Sequence, residues 1–137
     1  MTSVELFLAL LWKIVKRLTH KDVGNILWGS RLGAFRNADI VIDLSMDTFS
    51  GYFGMVNLIE HLKDYWTAFL LEKPLVAFAH SLSLPRWRPL VPIVKATLGR
   101  FRLVTVRDDA QVDRLYEGST SLHHVADSAF LLEPAPQ

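Results

Sequence analysis

Three times in this chain a short apolar run, rich in β-branched residues, stops abruptly in hydroxyls, carboxylates or a guanidinium. The first is Ala38-Asp-Ile-Val-Ile-Asp-Leu-Ser-Met-Asp-Thr-Phe-Ser50, the second Pro74-Leu-Val-Ala-Phe-Ala-His-Ser81, the third Phe101-Arg-Leu-Val-Thr-Val-Arg-Asp108. Such runs read as buried parallel strands whose carboxyl ends deliver polar side chains to a crevice, where open α/β sheets bind ligands. Helix-compatible sequence separates each run from the next. This repeated order of strand, polar tip and helix predicts a layered α/β domain rather than a helical bundle.

At 137 residues the chain is long enough for one domain, which buries roughly two-thirds of its unfolded surface. Half of the residues are hydrophobic and 21% are charged, which excludes disorder and favours a well-covered sheet. The apolar excess also leads us to expect self-association or a protein partner. A formal charge of +1 supplies no long-range field toward nucleic acid, so no nucleic-acid partner is expected. With no cysteine, the chain has no disulfide, no thiolate nucleophile and no cysteine-ligated metal, which fits a cytoplasmic setting.

Residues 1–37 read as an amphipathic helix and a connection, and residues 38–137 as the α/β region of what is a single domain overall. In the helix, Val4, Phe7, Leu8, Leu11, Ile14, Val15 and Leu18 repeat at helical spacing, with Lys13, Lys16, Arg17 and Lys21 behind them. No basic segment precedes this stretch and no small-residue cleavage site follows, so it does not read as a signal peptide. It is also shorter than the roughly 20 apolar residues that span a bilayer. Packing on the sheet accounts for the pattern first. Peripheral membrane contact through residues 4–18 is the alternative.

Residues 22–37, with Gly24, Gly29 and Gly33, read as a connection holding a short helix at most. Strand one is expected over about 39–44. Met55, Leu58, Ile59, Leu62, Tyr65, Trp66, Phe69 and Leu70 then mark a long core helix, closed by Glu72-Lys-Pro74. The proline-rich loop after strand two carries Arg86-Trp-Arg88, which could grip an anion and stack on a ring or could simply anchor a solvated loop. A helix over about 90–98, strand three near 102–106 and a fourth short strand near 122–125 complete the pattern. Between the last two, Asp108 or Asp109 could cap a helix with Val112 and Leu115 facing inward.

Four blocks in this order resemble the polysaccharide pyruvyl transferase family. They are Ile42-Asp-Leu-Ser-Met-Asp-Thr-Phe-Ser50, Lys73-Pro-Leu-Val-Ala-Phe-Ala-His-Ser81, Val106-Arg-Asp108 and Ala126-Asp-Ser-Ala-Phe-Leu-Leu-Glu-Pro134. The resemblance spans residues 38–134. It implies a three-layer, Rossmann-like α/β domain with a mainly parallel sheet of about four strands. That domain would be half of a two-domain, glycosyltransferase-B-like architecture that transfers pyruvyl from phosphoenolpyruvate to sugar hydroxyls as a ketal. No cofactor is expected. In the family an Arg-x-His motif of the second domain carries acid chemistry and holds the donor, and this sequence contains no such triplet. The chain is accordingly expected to be the acceptor-side half, incomplete and inactive alone, with sugar acceptor and phosphoenolpyruvate as partners once completed. A non-catalytic interaction or regulatory module on the same scaffold is the competing expectation. Three departures stand out: Met46 replaces the turn glycine, Ser83-Leu-Pro-Arg86 replaces Gly-Pro-Phe, and Ser128 replaces the proline of Asp-Pro-Ala-Phe.

The resemblance makes Asp47 the candidate catalytic residue, accepting a proton from a sugar hydroxyl, although turn or cap chemistry also accounts for an aspartate there. Ser45, Thr48, Ser81, Arg107 and Asp127 are the candidate substrate-binding residues. Each has a plain structural role beside the functional one, Arg107 in an Arg–Asp pair at the sheet edge and Asp127 in tying strand four to a loop. Asp43, in mid-strand, reads as the anchor of a neighbouring loop. His80 and Ser81 are poor mutual partners because adjacent strand residues point to opposite faces. The same geometry argues against His123-His124 as a metal site, and no metal is expected.

Overall fold

The computed structural model describes residues 3–20, 30–45, 47–50, 53–83, 85–108 and 122–127. Helix α1 (Ser3–Thr19) and the short α2 (Ser30–Asn37) precede strand β1 (Val41–Asp43). A 3₁₀ turn over Thr48–Ser50 leads to α3 (Met55–Leu70) and β2 (Leu75–His80). A second 3₁₀ turn over Arg88–Leu90 runs into α4 (Val91–Leu98), which is followed by β3 (Leu103–Val106) and β4 (Leu122–His124). The elements expected within the described residues are present. The expectations at Met46, Ser128 and the helix carrying Val112 and Leu115 lie outside the described residues.

The four strands form one parallel sheet in the order β1-β2-β3-β4. With the helices between them, this is the Rossmann-like α/β arrangement that the sequence implied. Parallel neighbours require crossovers, and right-handed crossovers that always step the same way put their helices on the same face. Helices α3 and α4 accordingly share one face. There Leu58, Leu62 and Ala68 of α3 and Val94 and Leu98 of α4 bury Leu75, Ala77, Val104 and Val106 of the strands. Phe101 fits between the layers, edge-on to Tyr65 at 5.2 Å and to Phe69 at 5.9 Å. On the opposite face, Ile42 and Phe78 remain exposed.

Helix α3 starts at Gly54, whose backbone at φ 89 and ψ 162 lies in a region open essentially only to glycine. It ends where Glu72 turns left-handed (φ 60) and the Lys73 N–H reaches back to the Ala68 carbonyl at 2.9 Å. That six-to-one bond is the helix-ending motif usually built on glycine. Pro74 then opens β2, and its carbonyl accepts the Val41 N–H at 2.9 Å, which sets the β1–β2 register.

Helix α1 does not lay its apolar stripe on the sheet. It packs through Ala9 and Trp12 against Leu32 of α2 and Leu71 beyond the end of α3. Small Ala9 allows close approach, and Lys16 both covers the Trp12 ring at 4.8 Å and pairs with Glu72 at 2.7 Å. The most apolar side of the helix is thereby left outward, with Phe7 62% and Leu18 76% exposed.

Candidate functional site

All six candidate residues lie just past the carboxyl ends of the strands, the edge at which parallel sheets present chemistry. Two side-chain clusters form there, one buried and one open.

The buried cluster centres on Asp43, the last residue of β1. Its Oδ1 accepts the Ser45 backbone N–H at 2.9 Å and the Ser45 hydroxyl at 2.6 Å, an aspartate turn that folds the chain over the strand end. Because Ser45 donates to the carboxylate, the Thr48 hydroxyl donates to Ser45 Oγ. Asp43 Oδ2 accepts the hydroxyl of Tyr65, which α3 delivers from the other side. His80 Nε2 lies 3.1 Å from the same oxygen without the alignment of a full hydrogen bond, and the His80 ring is completely buried against Phe49. Burial alone would raise the Asp43 carboxyl. The close approach of His80 and the donors from Ser45 and Tyr65 outweigh burial and hold the carboxyl far below the usual carboxylate range. Tyr65 is shifted the opposite way, above the ordinary phenol range, by its own burial and by the Asp43 charge.

His80 reaches this cluster because β2 carries one extra residue. Ala77 pairs with Val104 and His80 with Val106, so three steps on β2 match two on β3. Strict alternation would put His80 on the face opposite Ala77, and the bulge returns it to the same face. Ala79 takes the left-handed conformation (φ 52) at the bulge, and its N–H is taken up by Thr105 Oγ1 at 2.7 Å.

The open cluster centres on Arg107, the residue after β3. Its Nε donates to Ser81 Oγ at 2.9 Å, one terminal nitrogen meets Asp127 Oδ2 at 2.7 Å, and the other lies 3.5 Å from Asp47 Oδ1. Ser81 in turn donates to Asp108. One guanidinium therefore joins the ends of all four strands, meeting the carboxylates of Asp47 and Asp127, with that of Asp108 one hydroxyl further on. Of the two carboxylates that touch Arg107, Asp47 makes the longer contact, and 36% of its side chain is exposed against 30% for Asp127.

The sequence candidates thus divide. Asp47, Ser81, Arg107 and Asp127 meet in the open cluster, while Ser45 and Thr48 turn their hydroxyls toward Asp43. His80 and Ser81, adjacent in sequence, serve different clusters. Sequence reasoning missed Tyr65 as a polar partner and read it as core alone. A tyrosine on the apolar stripe of a buried helix was the available signal, since a buried phenol needs an acceptor. Among the described residues no group of three or more acidic or histidine side chains is arranged to hold a metal ion.

Comparison with known proteins gives no match among curated proteins and none among solved structures. The model of one family, polysaccharide pyruvyl transferase, matches residues 4–137, which carries the likeness beyond the four strand-end blocks to include α1 and α2. With the described parts of those blocks seated at the strand ends and the match running over nearly the whole sequence, this chain belongs to the polysaccharide pyruvyl transferase family.

Proposed function

We propose that the open cluster is the acceptor half of a pyruvyl-transfer site, binding the hydroxyls of a cell-surface polysaccharide or its precursor. The observation that carries this is charge. Among the described residues, Asp47 and Asp127 on Arg107 and Asp108 on Ser81 outnumber the guanidinium, so the edge suits neutral polyols, whose hydroxyls donate to carboxylates, better than a phosphate dianion. Arg107 holds Asp127 and Ser81 in place, and Asp47, the more exposed of the two carboxylates on Arg107, is the one that takes a proton from an attacking hydroxyl.

Ketal formation joins two sugar hydroxyls to one carbon of phosphoenolpyruvate, protonates its methylene to a methyl group and releases phosphate. The donor end of that chemistry needs an acid and a cationic anchor, the role the family gives to an Arg-x-His motif that this sequence lacks. The chain alone therefore binds acceptor without turning it over. It works in a cytoplasmic polysaccharide-building step when a donor-binding domain is supplied.

The second reading, an interaction module that kept the scaffold, draws support from the same arginine, because each of its nitrogens already meets a protein oxygen. Ligand-observed NMR separates the two. Acceptor binding predicts saturation transfer to simple hexopyranosides bearing neighbouring hydroxyls, reduced at least about fivefold by Asp47→Asn and undiminished when inorganic phosphate is added as a competitor. No transfer to any glycoside would sink the acceptor reading and leave the scaffold reading standing. Ketal formation from phosphoenolpyruvate by the chain alone would overturn the claim that it needs a donor domain.

A further inference from the structure

Helix α1 buries its less apolar side and exposes its more apolar one. Val4, Phe7, Leu10, Leu11, Ile14 and Leu18 are each between 43% and 76% exposed, and they form one continuous strip along the helix. Glu5, the helix's only acidic residue, is half-buried and lies outside that strip. Lys13 and Arg17 follow Leu10 at spacings of three and seven, so they continue its row and edge the strip with positive charge. Lys16, one residue away, is instead committed to Glu72.

We propose that this outer face of α1 is a docking surface for an anionic membrane, on which the helix lies flat. An apolar strip bordered by cations matches acyl chains beneath negative headgroups. Spanning is excluded for α1, because no described helix is long and apolar enough to cross a bilayer. A second copy of the chain fits the strip less well. Val4, Phe7, Leu11, Ile14 and Leu18 have the spacing of a coiled-coil seam, but Leu8, Leu10 and Val15 occupy the flanking positions where paired helices carry complementary charges. The apolar surface is wider than a two-helix seam, and 17 residues fall short of the three to four heptads that such a seam needs.

The test is co-sedimentation of the full chain with phosphatidylcholine vesicles made with and without phosphatidylserine. The expected result is pelleting with the anionic vesicles that weakens as salt is raised. Phe7→Glu with Leu11→Glu should abolish it, and Lys13→Glu with Arg17→Glu should lower the partition coefficient at least about tenfold. All four side chains are away from the core, so far-UV circular dichroism and the melting temperature should match those of the parent chain. Recovery in the supernatant with both vesicle types would overturn the proposal. So would pelleting that none of the substitutions alters, or a stable dimer, split by Leu11→Glu, that binds neither vesicle.

Discussion

A carboxyl group among aromatic rings is normally driven toward its neutral form, yet Asp43 is held ionised by the donors that converge on it. Its depressed folded-state value means that its contribution to stability is present above the ordinary carboxylate range and is lost as the pH falls below it. Asp43→Asn should cost about 1–3 kcal/mol at neutral pH and progressively less toward pH 2, read by urea unfolding at both ends. An equal cost at both would show that the charge is not what the cluster needs. Tyr65 behaves as the counterpart: its raised value keeps the phenol protonated where free tyrosine ionises near 10. The alkaline absorbance step of the parent and of Tyr65→Phe should therefore have the same amplitude until the fold itself gives way. Asp43 was legible as a loop anchor, since a carboxylate in an apolar run needs partners. Tyr65 was not, because its approach depends on how a helix 22 residues away in sequence is rotated over the strand.

At the scale of elements, two backbone features position the site at a conformational cost. A Cβ on Gly54 would meet nothing within 4 Å, so Gly54→Ala tests the backbone alone. It should destabilise by about 1–3 kcal/mol through strain at the start of α3. At the β2 bulge, Thr105→Val removes the acceptor for the Ala79 N–H and should cost about 1–3 kcal/mol, whereas Ala79→Gly relaxes the left-handed residue and should be neutral or stabilising. Strand positions and the long helix were legible from apolar spacing and from Pro74. The bulge was not, because nothing in Phe78-Ala79-His80 marks an extra residue, and it alone decides that His80 faces the core. The packing of α1 was hidden for a related reason. Periodicity reports which side of a helix is apolar, not which side finds a partner, and here Ala9 and Trp12 found one while the richer strip did not.

Across the whole molecule, the burial is one-sided. Phe101, inside the layer between sheet and helices, should cost about 3–5 kcal/mol on replacement by alanine. Phe78, on the opposite face and 37% exposed, should cost well under half as much, and comparable losses would mean that its face is covered in solution. The α/β class was readable because strand, polar tip and helix recur three times. The division of the site residues between a buried and an open cluster was not, since it arises where four strand ends meet and no local pattern encodes that meeting.

Strand order that equals chain order also bears on how the protein is made. As the chain leaves the ribosome, each new strand of the described sheet finds its neighbour already synthesised, and α3 and α4 are ready to cover the β1–β2 and β2–β3 pairs. No strand has to wait for a distant partner or be threaded between two existing ones. The sheet can grow from one side as translation proceeds, and Asp127, which follows β4, then completes the tie that Arg107 makes among the strand ends.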